Sequence, residues 1–185
     1  DVYKRQAQDG ASFYAIGIPM LESVKLLKSG GMEREAEELL RYYEIHGEML
    51  IKNGLCYPPH EVKYEQSIVA PAVNYLFQLY ELTGKILYLE EGKKQLAVLV
   101  LFNGHQPDFH MYENAVRHWD GYWFGKYKNL GDTFPHYWSS LSGVAFREYE
   151  KITGERSYGV KAENSLRGVL SMINSDGSAS CAYVY

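Results

Sequence analysis

The sequence predicts an all-α fold of stacked αα-hairpins, and three observations carry that reading. Apolar residues recur with a period near 3.6 through most of the 185 residues. Short stop signals recur at Ser29-Gly30, Thr83-Gly84 and Thr153-Gly154, each followed at once by a further helical stretch. Longer irregular stretches separate the resulting pairs. "YELTGKILY" and "YEKITGERSY" are near-copies about 70 residues apart, which marks an internal repeat of αα-hairpins.

Residues 1–10 are set aside as a leader, because "DVYKRQ" is similar to a translated adapter scar of metagenomic reading frames. Residues 11–185 are assigned to a partial domain of three helical hairpins. In "EREAEELLRYYEIHGEMLIKNG", Ala36, Leu39, Leu40, Tyr43, Leu50 and Ile51 share one stripe, and Asn53-Gly54 supplies a stop. "QSIVAPAVNYLFQLYELTG" is apolar almost all round, as in a helix buried on most sides. Its Pro71 is placed near the first turn, where proline is tolerated. The second helix of that hairpin is expected to end at Asn103. "HYWSSLSGVAFREYEKITG" puts Leu141, Val144, Ala145, Tyr149 and Ile152 on one face, and its partner helix is expected to end at Asn174. The Ser/Thr-Gly turns then lie at one end of the bundle and the long stretches at the other. With no initiator methionine and an abrupt stop at "CAYVY", both ends read as cuts.

Composition narrows the partners. The net charge of -4 argues against nucleic acid, which asks for a basic face. No apolar run approaches the roughly 20 residues of a membrane-spanning helix. Cys56 and Cys181 lack metal-like spacing and can be paired or free, with free thiols the preferred reading, so they do not fix a compartment. Localisation is therefore open, and a periplasmic or secreted site is compatible with the sequence. No cofactor and no metal is expected: the histidines form no HxxxH or Cys/His quartet.

Chemistry concentrates in the second long stretch, about 30 residues from Asn103 to Pro135, a length that structureless connections rarely reach without a function. From Tyr112 to Trp138 there are nine aromatic residues, including all three tryptophans, and four of the six histidines fall between His105 and His136. Apolar walls with a few placed polar groups are the usual make-up of a small-molecule site. Sugars suit it, since their C–H faces stack on rings while their hydroxyls need hydrogen bonds. Trp119, Tyr122, Trp123, Tyr127, Tyr137 and Trp138 are the candidate stacking rings, the alternative being that they plug the stretch onto the bundle. Asp120, flanked by Trp119 and Gly121, is a candidate general acid or base. Asp132 is a second candidate carboxylate, although it or Thr133 is also a natural N-cap for the next helix, with Pro135 in the first turn. His136 is a candidate for proton transfer and His118 for hydroxyl contacts, and either can equally be structural. Arg117 matches a carboxylate bidentately, unless a salt bridge to Glu113 or Asp120 occupies it. In the equivalent place one hairpin earlier, His60 and Glu65 are expected at the same rim, with capping at the Glu65–Ser67 helix start as the competing role for Glu65.

The repeated hairpins, together with "RHWDGYWFG", "GDTFPHYWS" and the closing "DGSASCAYVY", resemble the six-hairpin glycosidase superfamily. That family's fold is the (α/α)6 toroid shared by several glycoside hydrolases and polysaccharide lyases. The resemblance implies about half of a toroid and an oligosaccharide or polysaccharide substrate. It places first a β-glucuronidase-like hydrolase acting on a uronic-acid-containing glycan by carboxylate acid/base catalysis. The alternatives are a polysaccharide lyase of the same architecture, using Tyr or His with Asn or Arg at the uronate carboxylate, and a non-catalytic helical glycan-binding module.

Overall fold

The computed structural model describes residues 21–54, 66–103 and 138–180. Six helices make up these residues: α1 (21–29), α2 (Glu33–Asn53), α3 (Gln66–Thr83), α4 (Ile86–Val100), α5 (Ser139–Thr153) and α6 (Arg156–Leu170). Among the described residues there is no strand, only an isolated antiparallel bridge between Ile173 and Ala179. The fold is all-α, a run of αα-hairpins that forms part of an α/α toroid.

The repeat seen in the sequence is a repeat of turn chemistry. At the α3–α4 turn the Thr83 hydroxyl donates to Leu79 O (2.7 Å) and accepts from Lys85 N (3.2 Å). At the α5–α6 turn Thr153 does the same with Tyr149 O (2.8 Å) and Glu155 N (3.2 Å). Gly84 and Gly154 follow with φ of 69° and 77°, a left-handed backbone that glycine adopts without steric cost. The first turn departs from this pattern. Ser29 donates to Leu26 O, but the left-handed residue is Gly31 and not Gly30.

The α3 helix is the centre of the core, with Val69, Ala70, Val73, Tyr75, Leu76, Phe77 and Leu79 all buried. That matches its all-round apolar sequence. It packs against α4, α5 and α2. Pro71 is the sixth residue of α3, deeper than the first turn, so the N–H that would close on residue 67 is missing. On α5 the buried side is Ser139, Ser142, Ala145, Phe146 and Tyr149, while Val144 is 42% exposed. The helix pairs end earlier than Asn103 and Asn174: α4 stops at Val100 and α6 at Leu170. A tighter turn then carries the chain on from α4. The backbone N–H groups of Leu101, Phe102 and Asn103 donate to the carbonyls of Val98, Leu99 and Val100 in turn, each three residues back.

Glycines set the closest helix approaches. A Cβ on Gly92 of α4 would meet Phe77 Cε1 at 2.5 Å and Cδ1 at 2.8 Å. Phe77 is buried and its ring lies against Tyr149, 5.6 Å between centroids, so it has little room to move. Gly92→Ala is expected to destabilise by ~1–2 kcal/mol, the overpacking cost less alanine's helix preference. At Gly159 the added methyl meets the Glu150 carboxylate, a side-chain end that Arg147 holds but that can turn aside more readily than a buried ring, and a smaller loss than at Gly92 is expected. Urea midpoints of the two variants check this contrast.

The α2 helix adds a pH dependence. Burial pushes the His46 imidazole below its ordinary pKa of about 6.5. The unfolded chain thus binds a proton that the folded one resists. The resulting stability is present above pH ~6.5 and is lost as pH falls toward the depressed value. His46→Gln should flatten the fall in thermal midpoint below pH ~6.5, and parallel curves for the two proteins would contradict the assignment.

Candidate functional site at the long-segment end

Two ends of the bundle have different chemistry. At the turn end, hairpins are tied by ion pairs: Lys25 Nζ lies 3.4 Å from Glu81 Oε2, and Lys85 Nζ 2.5 Å from Glu44 Oε1. Tyr88 also donates to Glu44 Oε1 (3.3 Å), and burial, followed by the Glu44 and Glu48 charges, raises its phenol pKa. At the opposite end the ties are buried or half-buried amides with hydroxyls and carbonyls. Gln66, the first residue of α3, donates from Nε2 to Trp138 O (2.7 Å) and to Ser142 Oγ (2.8 Å). Asn74 Nδ2 reaches Leu141 O at 3.4 Å, and Asn103 Nδ2 donates to Ser165 Oγ at 3.0 Å.

These bonds fix the geometry of that end. Gln66 and Trp138 bring together the starts of α3 and α5, and Asn103 brings the end of the second hairpin onto α6 near its finish. The helix ends next to residues 55–65, 104–137 and 171–180 therefore lie on one side, and the Gly84 and Gly154 turns on the other. Beyond α6 the chain forms a tight hairpin. Gly177 N donates to Asn174 O (2.9 Å), Asn174 N to Ser178 O (2.8 Å), and Gly177 has φ 84°. Ser178 donates to Asp176 Oδ1 through both its hydroxyl and its backbone N–H, and these bonds hold that carboxyl below its usual pKa.

The seam between α3 and α5 is polar for a buried surface. Gln66, Asn74 and Gln78 fall on one i, i+4 stripe of α3 and are all buried, as are Ser139 and Ser142 of α5. Gln66 Oε1, Asn74 Oδ1 and Gln78 Oε1 have no hydrogen-bond partner among the described residues. Core packing alone favours apolar side chains at such positions, so this stripe of buried amides is a distinct feature of the seam.

Of the sequence-nominated residues, only Trp138 lies among those described. It is half-buried at the N-cap position of α5, and its carbonyl accepts from Gln66. The α5 helix begins at Ser139 and its N-cap residue, Trp138, makes no side-chain cap bond; the capping role expected of Asp132 or Thr133 falls on residues outside those described. Asp120, Asp132, His136, Arg117, His118, Trp119, Tyr122, Trp123, His60 and Glu65 lie outside the described residues. Gln66, Asn74 and Ser142 were not nominated by sequence. The available signal was three amides at spacings of eight and four on an otherwise apolar helix. Among the described residues no helix is long and apolar enough to cross a membrane.

No protein-family model matches the chain. No match is found among curated proteins. A solved chain described as a polysaccharide lyase is similar to this one at 52% identity and a TM-score of 0.78, over 93% of this chain and 26% of that chain. The present chain thus spans about a quarter of the length of that lyase.

Proposed function

We propose that this chain is part of a polysaccharide lyase that cleaves a uronate-containing polysaccharide. The observation that carries the reading is the 52% identity to a polysaccharide lyase over 93% of the chain. It favours the lyase over the hydrolase that the sequence alone put first. The hairpin end where α3 and α5 begin supports it further, since segments rich in Tyr and His, the second of which also carries Trp119, Trp123 and Arg117, adjoin those helix starts.

In this reading Arg117 pairs with the uronate carboxylate and lowers the energy of the negative charge that builds on it when C5 loses its proton. His136 takes that proton, with His118 and Tyr122 as the neighbouring candidates. The C5–H electron pair becomes the C4=C5 double bond as the C4–O bond breaks. The departing oxygen takes up the proton that His136 removed from C5 and leaves as a hydroxyl, which restores the base, and no water is consumed. Trp119, Trp123 and Trp138 stack on sugar faces, and His60 and Glu65 contact hydroxyls from the earlier segment.

Incubating the full gene product with a panel of acidic and neutral polysaccharides tests this. Ultraviolet absorbance of an unsaturated uronide should rise with an acidic member of the panel and with no neutral one. New reducing ends without that absorbance would favour hydrolysis by Asp120 and Asp132. Saturable binding with no cleavage of any member would favour a glycan-binding module.

A further inference from the structure

We infer that Gln66 is a positioning residue: its buried side-chain amide locks the starts of α3 and α5 in one register, and so sets the two chain segments that lead into those starts relative to each other. Both hydrogens of the amide are used, one on a backbone carbonyl 72 residues away (Trp138 O, 2.7 Å) and one on a hydroxyl 76 residues away (Ser142 Oγ, 2.8 Å). The residue is 1% exposed, so it touches no polysaccharide and acts only through what it holds.

The residue type is specific to the task. A side-chain amide carries two hydrogens on one nitrogen, so a single Nε2 serves a carbonyl and a hydroxyl at once. Here the side chain ignores its own helix. Trp138 O belongs to the N-cap residue of α5, which has no side-chain cap, and it accepts both from Leu141 N of its own helix (2.9 Å) and from Gln66 of another hairpin. The ties named at the turn end are of another kind: two ion pairs between exposed or half-exposed side chains, which are soft and salt-screened, and the Tyr88–Glu44 bond.

This inference rests on the lyase reading for its consequence in catalysis, but not for the clamp itself. Two variants of the full gene product separate the matters. Gln66→Leu removes both donors. Gln66→Glu keeps the shape but can donate only when protonated, and burial beside a carbonyl raises its pKa. Hydrogen exchange should quicken at residues 138–142 in both variants, with residues 83–88 and 153–158 unchanged. In Gln66→Glu the protection should return as pH falls, because a raised folded pKa places the stabilising form on the acid side. On a uronate polysaccharide, kcat/KM should fall about 10-fold or more, mainly in kcat, with partial acid rescue of the glutamate variant only. Unchanged exchange at 138–142 overturns the clamp. Altered exchange with unchanged kinetics, in an active parent, overturns the positioning role. If the parent cleaves no uronate polysaccharide, the lyase reading fails, and hydrogen exchange alone decides the clamp.

Discussion

Phe77→Ala is expected to remove about 3–5 kcal/mol of stability, the scale of a fully buried phenylalanine truncated to alanine. The ring sits where three helices meet. It is buried on α3, lies 5.6 Å from the Tyr149 ring of α5 at 31°, and touches the bare backbone of Gly92 on α4. Tyr149 in turn meets Tyr158 of α6 edge-on at 4.6 Å. The site cannot collapse cheaply, because both neighbouring hairpins would have to shift together. Urea unfolding should show a lower midpoint at an unchanged slope. Leu87→Ala, at a half-exposed position of α4, should stay within ~0.5 kcal/mol. A loss below ~1 kcal/mol at Phe77 would mean that α4 and α5 do not converge on it.

The second large effect is catalytic. His136→Ala in the full gene product is expected to lower kcat on a uronate polysaccharide at least ~100-fold, the scale of a lost acid–base group. His136 is chosen because it precedes by two residues the Trp138 carbonyl that Gln66 holds. Asp120→Asn should be far milder if proton abstraction is the chemistry. Arg117→Ala should weaken acidic substrates and spare neutral ones. The reverse order, with Asp120→Asn crippling and His136→Ala mild, would return the protein to acid/base hydrolysis.

The hairpin repeat was legible because its signals are local. A threonine hydroxyl reaching back four residues and a left-handed glycine are both written within five positions of sequence, as at Thr83-Gly84 and Thr153-Gly154. The burial of α3 was legible for the same reason, since all-round apolarity needs no partner to be named. The end of α4 falls three residues before Asn103 because the chain leaves that helix through a tighter turn and not through a break. Val144 faces outward because periodicity gives a stripe but not which edge of it meets a neighbour. The Gln66 bonds were not legible. They join residues more than 70 positions apart, and only the tertiary fold makes a helix-start glutamine the donor to another hairpin.

Cleavage in isotopically labelled water tests the central claim most directly. The full gene product is incubated with the polysaccharide that it cleaves, and the new chain ends are read by mass spectrometry. The lyase account expects an unsaturated uronate at the new non-reducing end, lighter by one water than a hydrolytic product, with no label incorporated during bond cleavage. Saturated ends carrying one labelled oxygen per cut would contradict it.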